Sequence, residues 1–375
     1  MENKKRFFLM RRMWWLKLFC SFALCGLLVG YLSPFVHPLT FWPIAFFGLT
    51  YPVFLFLTVF FLVIFAVKRS KFSFVILLVI LIGGKLHFRH FVTGFGAAKE
   101  NVEYSSGLKV MSYNVHLFDY YNPDNKNTFD NRDRIFKFLR KEQPEIACFQ
   151  EFYSQDAPSK FITKDSINEI LSAKAFHQRA VTTVYKRQNF GVTIYSKHPV
   201  IAKGEVSFGN RSNNYCIFVD VVKEKDTFRI YNAHLQSIYL SNVEMDLVSS
   251  ADSDFQQRKS GLARVIQKLK TAFPIRVSQA QKVLKHAEKS PYPTIICGDF
   301  NDSPMSYTYN LFNTNYIDAF RNCSFGFGWT YAGKLPAGRI DYIFHTPDLN
   351  SFNFKVQDEK YSDHYAITTQ INKVN

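Results

Sequence analysis

The stretch TIICGDFND, residues 294–302, reads as a short buried strand with a polar end. Ile295, Ile296 and Cys297 lead through Gly298 to Asp299 and Asn301, which bracket Phe300. Side chains alternate along a strand, so Asp299 and Asn301 face one way and Phe300 turns back toward a core. Packing alone gives no reason for a carboxylate and an amide there. The same kind of ending recurs along the chain. SYNVH (112–116) sets Asn114 and His116 on one face, FQE ends at Glu151, and NAHL (232–235) aligns Asn232 with His234. RIDYIF (339–344) holds Asp341 inside an apolar run, and YSDHY (361–365) brings Asp363 and His364 just before a last strand.

Each ending has an ordinary reading. An Asn or Asp at a strand end commonly caps a turn. A histidine in a strand is commonly a hydrogen-bonded core residue, and Asp341 could pair with Arg339. Burying so many unpaired carboxylates and amides would cost several kcal/mol, however. Convergence removes the difficulty. Acids, imidazoles and amides at the ends of several strands build a site for a metal and a phosphate.

The surrounding pattern supports strands. Runs rich in Val, Ile, Tyr and Phe lie at 108–116, 145–151, 191–197, 216–222, 228–235, 294–299, 339–345 and 366–372. Helical spacing appears at 131–141, 258–271 and 276–289. Leu262, Val265, Ile266 and Leu269 make one apolar face, and Val277, Ala280, Leu284 and Ala287 another. Many strands with few helices between them predict an α+β fold of two packed sheets with helices outside.

The first hundred residues have a different character. They carry twelve Lys and Arg against Glu2 and Glu100, a balance of +10, which leaves +6 of the total +16 for residues 101–375. No charge interrupts Leu18–Val36 or Phe41–Val67, and a bilayer crossing needs about 20 apolar residues. A third run, 72–84, reaches that length only if it continues to Val92 with Lys85 and Arg89 snorkelling. Two or three transmembrane helices are expected, with three favoured. Lys4, Lys5, Arg6, Arg11, Arg12 and the KRSK of 68–71 mark the cytoplasmic side, so a third crossing puts the rest of the chain outside. The spans hold almost no ionisable residue, which argues against transport. Residues 94–107 read as a linker. The six cysteines show no metal or disulfide spacing and read as small apolar residues.

The ordered set N-x-H, Q-E, N-x-H-L, G-D-F-N, R-I-D-Y-I and S-D-H, from Leu108 to Ile371, resembles the endonuclease/exonuclease/phosphatase superfamily. The resemblance implies a four-layer α/β sandwich, two facing mixed sheets flanked by helices, with the site at one rim. The implied organisation is a membrane anchor at 1–93, the linker, and a catalytic domain at 108–375. It implies hydrolysis of phosphoric esters with Mg²⁺, or Mn²⁺ as the alternative. Glu151 is then the main metal ligand, with Asn114 beside it and Asp363 as a further member. Asp299 orients or deprotonates the attacking water, and Asn301 holds a phosphate oxygen. Asp341 pairs with His364, which stabilises phosphoryl charge, and His234 makes a second contact to the phosphate or leaving group. Which of Asp299 and His364 acts as the base stays open.

Apurinic endonucleases usually carry a tyrosine at the place of His234, and the Cys-Asp-Arg signature of inositol polyphosphate 5-phosphatases is absent. The pattern looks more like secreted deoxyribonucleases and sphingomyelinase-type phosphodiesterases. An apolar module in front resembles membrane-tethered bacterial members, which implies an inner-membrane protein; the loop charges, with a third crossing, put its catalytic domain on the extracytoplasmic side. Expected partners are a phosphodiester substrate, nucleic acid among the candidates, and the lipid bilayer; the sequence names no protein partner. Nine Lys and Arg against Glu288 between 256 and 289 could form a basic face, diluted by Glu244, Asp246, Asp252 and Asp254 upstream. Trp329, Tyr331 and Tyr307 could stack on bases. A phospholipid phosphoesterase and a catalytically silent binding module are the alternatives, the second weakened because all six motif groups are kept.

Overall fold

The structure, a computed structural model, describes residues 2–93, 107–121, 127–209, 212, 214–238, 255–333 and 338–374. All of the linker but Gly107, and the acidic residues Glu244, Asp246, Asp252 and Asp254, lie outside that set. The chain divides into two compact units, residues 1–90 with 303–310, and residues 91–302 with 311–375.

The first unit holds α1 (Glu2–Leu32), α2 (Pro38–Leu49), α3 (Tyr51–Val67), α4 (Phe72–Ile82) and α5 (Gly84–His87). Trp14–Leu32 is long and apolar enough to cross a membrane. The run from 41 to 67, read as unbroken, is two helices bent by 53° at Thr50. Pro52 follows the break; proline suits the first turn of a new helix but not the interior of a continuous one. The third run gives an 11-residue α4 ending at Gly83. Arg89 does not snorkel as expected: it is buried, with Nη2 donating to Asn310 Oδ1 at 2.7 Å. Cys20, Leu27, Tyr51, Phe65 and Ile76 form the interior of this unit, while Phe22, Phe56, Val67 and Phe74 stay more than half exposed.

The second unit is built on two six-stranded sheets. Its strands are β1 (Leu108–Asn114), β2 (Ile146–Gln155), β3 (Ala175–Val184), β4 (Gln188–Ser196), β5 (Val200–Val206), β6 (Tyr215–Lys223), β7 (Asp226–His234), β8 (Thr294–Asp299), β9 (Ile317–Asp318), β10 (Asp341–His345), β11 (Leu349–Val356) and β12 (Ile367–Lys373). One sheet runs β11-β12-β1-β2-β4-β3 and the other β5-β6-β7-β8-β10-β9. Each has one parallel pair near its centre, β1 with β2 and β7 with β8; the remaining pairs are antiparallel. Inward residues of both, among them Val110, Ile146, Cys148, Ile194, Ile230, Ile295, Cys297 and Ile343, form one core. Outside the first sheet, α6 (Asp130–Glu142) and α7 (Lys164–Leu171) bury Ile135, Phe138, Leu139, Ile167 and Leu171 against Met111, Tyr113 and Phe149. Beside the second lies α8 (Phe255–Ala287), with His286 Nδ1 2.8 Å from the Tyr231 hydroxyl of β7. The short helices α9 (Tyr307–Asn315) and α10 (Ala319–Cys323) follow. The architecture is the expected sandwich of two mixed sheets flanked by helices.

All eight runs read as strands are strands, with ends shifted by a few residues. The two helices expected at 258–271 and 276–289 are one, continuing through Pro274. Its buried face, Leu269, Phe273, Val277, Ala280 and Val283, runs across the proline, so burial outweighs one lost hydrogen bond. Leu262, expected on that face from its spacing, is half exposed.

Candidate active site

Period-two alternation carries the core face of several strands straight into the site. In β7, Phe228 and Ile230 face inward, and the same parity continues through Asn232 to His234. In β8, Ile295 and Cys297 are followed by Asp299, and in β10 Ile343 shares its face with Asp341. Register then sets the last inward residues side by side. His234 pairs with Asp299 across β7 and β8, and Asp299 with Asp341 across β8 and β10. Three strands thus present His234, Asp299 and Asp341 as one row. Asn114, at the end of β1 on the facing sheet, reaches across so that Nδ2 donates to Asp299 Oδ2 at 3.0 Å.

His364 comes from the loop before β12 and brackets the two acids. Its Nδ1 lies 2.9 Å from Asp341 Oδ2 and its Nε2 lies 3.7 Å from Asp299 Oδ2. Asp299, Asp341 and His364 are all buried, and one ligand atom from each falls within 4.8 Å of the others. Burial alone would lower the His364 pKa, but the Asp341 and Asp299 carboxylates more than offset it and hold the imidazole well above its usual value. Burial pushes the Asp299 carboxyl up, with the neighbouring Asp341 adding to the effect and the two histidines and Asn114 opposing it.

Glu151 depends on a bulge. The β2–β4 register slips between Phe149 and Phe152, and Glu151 takes a φ of +48°. This turns its carboxylate toward the site, where Oε1 lies 3.7 Å from His234 Nε2. His234 Nε2 is also 3.7 Å from Asp299 Oδ2, and it is buried with no hydrogen-bond partner among the described residues.

Two expected side-chain placements differ. The strand ends at Asp299, and Asn301, at φ +54°, lies in a turn rather than in register with it. Its backbone N–H donates to Asp299 Oδ1 at 2.8 Å, closing the turn, and Nδ2 donates to Leu235 O at 3.1 Å. Phe300 does point inward, against Phe312, Tyr342 and Phe344. His116 is not on a strand face, because residues 116–119 all have positive φ. It is half exposed, with Nδ1 3.8 Å from Asp119 Oδ1 and 3.9 Å from Asp363 Oδ1. Asp363 also accepts from Ser362 Oγ at 3.3 Å. Gly298 fits the β7–β8 contact because a Cβ there would stand 1.8 Å from Ala233 O.

A second polar layer lies beneath the row. Gln150 Nε2 donates to Asn232 Oδ1 at 2.6 Å and to Ser112 Oγ at 3.1 Å, and Asn232 Nδ2 donates to the carbonyls of Phe149 and Thr193. These bonds tie the two sheets together, so Asn232 serves the framework while His234 reaches the site. Sequence reading also passed over Arg276 and Gln279, counting Arg276 among the basic residues of a surface. Both are buried. Arg276 Nε donates to Gln236 O at 2.6 Å, and Gln236 N donates to Gln279 Oε1 at 2.8 Å, fixing the chain just after His234. Their spacing of three on a helix whose apolar face they share was the available signal. Of the named aromatics, Tyr331 sets its ring edge-on to His364 at 5.2 Å, and Trp329 is exposed. Tyr307, in the first unit, packs on His37.

A family model described as the endonuclease/exonuclease/phosphatase family matches residues 111–364, from within β1 to His364. The chain belongs to that family. It is accordingly a hydrolase acting on phosphoric ester bonds, in a family that generally works with divalent metal ions. Residues 8–90 match a second model, described as a domain of unknown function. No curated protein matches significantly. Among solved structures, an endonuclease/exonuclease/phosphatase family protein from Leptotrichia buccalis is 17% identical over 71% of this chain and 99% of its own, with a TM-score of 0.49. The human Nocturnin catalytic domain with bound sulfate is 15% identical over 72% and 94%, TM-score 0.49. The mannosyl-6-phosphatase Bt3783 of Bacteroides thetaiotaomicron is 14% identical over 71% and 99%, TM-score 0.49.

Proposed function

We propose that this family member is a membrane-tethered, Mg²⁺-dependent phosphodiesterase. The observation that carries the reading is the in-register row His234–Asp299–Asp341, closed by His364 across both acids. The donors suit a hard cation. Glu151 and Asn114 offer oxygens, the donors such an ion prefers, and the Glu151 carboxylate is turned toward the site beside His234 at 3.7 Å. Glu151 and Asn114 would hold the ion, with Asp363 as a further oxygen. When bound, the ion supplies Lewis-acid polarisation of a phosphoryl oxygen.

The chain's own groups do the rest. Asp299, its pKa raised, orients the attacking water and takes its proton. His364, its pKa held well above the usual histidine value by the Asp341 and Asp299 carboxylates, favours the protonated form and is the group suited to stabilise negative charge on the phosphoryl oxygens, which leaves the base role to Asp299 in this reading. Asp341 holds the His364 ring through Nδ1. His234 meets the phosphate or leaving group through its unpartnered Nε2. Asn301 has a second amide hydrogen to offer a phosphate oxygen beyond the one given to Leu235 O.

The test uses the purified full chain on a bis-aryl phosphate, an aryl monophosphate, DNA, RNA and a phospholipid. Diester hydrolysis should stop on chelation and return with Mg²⁺. At 100 times its Kd the ion should also add about 2.7 kcal/mol to stability, seen as a higher unfolding midpoint. Folded protein that cleaves no diester, or cleaves one in excess chelator, would overturn the assignment.

The tether rests on the α1 run and on the exposed Phe22, Phe56, Val67 and Phe74, a pattern suited to lipid rather than water. We place the catalytic unit on the extracytoplasmic side. The third crossing would use α4 and α5, residues 72–87, about 24 Å of helix and within reach of a locally thinned bilayer. A topology reporter joined at residue 100 should be active outside the cytoplasm; activity only inside reverses the placement.

A further inference from the structure

Large exposed apolar side chains of the second unit, such as Tyr185, Ile201 and Val374, are mostly scattered, but four aromatics lie together. Phe325, Phe327 and Trp329 are 71%, 54% and 60% exposed. Phe91 packs on Phe325 and Phe327 with ring centroids 6.1 and 5.1 Å away, and Phe327 is 5.6 Å from Trp329. The segment 324–333, SFGFGWTYAG, has no charge.

This loop is built, not loose. Gly326 and Gly328 take φ of +87° and +60°, and a Cβ on Gly328 would stand 2.3 Å from the buried Phe320 ring. Gly326 exchanges both backbone hydrogen bonds with Val92, at 2.9 and 2.8 Å. At its other end Thr330 is fully buried, and Thr330 Oγ1 accepts from the backbone N–H of Ile340 and Asp341. Tyr365 N donates to Thr330 O at 2.7 Å. A hollow of about 410 Å³ beside the loop is lined by Phe325, Trp329 and Tyr365, the last adjoining His364. One segment therefore holds three aromatics in the open and leads directly into the catalytic pair.

We infer that the aromatic loop of Phe325, Phe327 and Trp329 docks into the headgroup region of the bilayer that carries the N-terminal helices. The inference rests on the tether proposed above. Covalent continuity argues for lipid over a second copy or a peptide. Phe91 follows the end of α5 by four residues, at most about 14 Å of extended chain. Its ring is part of the cluster, and uncharged aromatics are the side chains that membrane interfaces favour. Docking there would turn the rim at Asp341 and His364 toward phosphoesters carried at the membrane surface.

The test keeps the full chain and makes Trp329 its sole tryptophan through Trp14→Phe, Trp15→Phe and Trp42→Phe. The protein is reconstituted in phosphatidylcholine–phosphatidylglycerol vesicles with and without brominated acyl chains. Trp329 emission should be blue-shifted, quenched by bromolipid and shielded from aqueous iodide. Adding Phe325→Ser and Phe327→Ser should remove both the shift and the bromolipid quenching, while hydrolysis of a soluble aryl diester persists. Iodide quenching without bromolipid quenching, in protein that stays with the vesicles after an alkaline wash, overturns the docking and leaves the tether standing. Shielding from both quenchers points to a protein partner and also overturns it. Protein released by the wash overturns the tether, and this inference with it.

Discussion

Asp299→Asn is expected to lower kcat for diester hydrolysis by about 10³–10⁴-fold, or roughly 4–5.5 kcal/mol of transition-state stabilisation. The variant loses the one carboxylate that touches Asn114, the Asn301 backbone, His234 and His364 together. It should not lose the fold. Asp299 is buried with its pKa raised, so the folded protein binds more protons than the unfolded chain between the two pKa values. Stability conferred by this group therefore falls as pH rises through the folded value, and a neutral side chain removes that loss. Circular dichroism melts beside single-turnover assays would separate the effects. Activity within tenfold of the parent, from a folded variant, would remove Asp299 from the chemistry.

The same pair of groups shapes the pH profile. The acid limb of kcat/KM should follow ionisation of Asp299, displaced upward by burial. The basic limb should follow loss of the His364 proton, displaced upward from the usual histidine value by the Asp341 and Asp299 carboxylates. Asp341→Asn removes the nearest carboxylate from His364 and should bring the basic limb down by about 1–3 pH units. In the parent, stability from the His364 pair is fully present below the unfolded histidine pKa and is lost as pH rises through the folded value. A basic limb left in place by Asp341→Asn would rule out His364 as its source.

Asp318→Ala should have the largest effect on stability, about 3–5 kcal/mol. Arg339 is almost wholly buried, its Nη1 donates to Asp318 Oδ2 at 2.7 Å, and its guanidinium lies 4.5 and 4.7 Å from the Phe320 and Tyr342 rings. Removing the carboxylate takes a close ion-pair partner from a buried cation. Asp318 Oδ1 also accepts from Phe320 N at the start of α10, so alanine loses a cap worth about 1 kcal/mol as well. Asp318→Asn keeps a cap acceptor and should cost less. Pairing Asp318→Ala with Arg339→Met should recover part of the loss. Denaturant midpoints equal for Asp318→Ala and the parent would mean that the pair contributes nothing.

Arg339 also marks where sequence reading stops. From RIDYIF alone, Asp341 was a natural partner for it. The structure gives Arg339 to Asp318 and leaves Asp341 to His364. Asp318 sits on the two-residue β9, too short to carry a pattern. The other strands missing from the sequence reading, β3, β5 and β11, have the same position, since all four are sheet edges. β3 and β5 are half exposed, with polar residues on both faces, as edges resisting further pairing tend to be. The eight strands that were legible all have a neighbour on each side.

The sequence by itself determined the two-sheet architecture, because period-two burial writes itself into composition, and it named the polar strand endings. Their meeting was decided by tertiary structure. Register across β7, β8 and β10 lines up His234, Asp299 and Asp341, a bulge turns Glu151, and a turn re-aims Asn301. Arg276 shows the same limit: counted along the chain it was surface charge, and only packing against the residues after His234 places it inside. Alternation is a local property, set by backbone geometry one residue at a time. Register, bulges and pairing are relations between segments far apart in the chain, fixed only when the whole core closes.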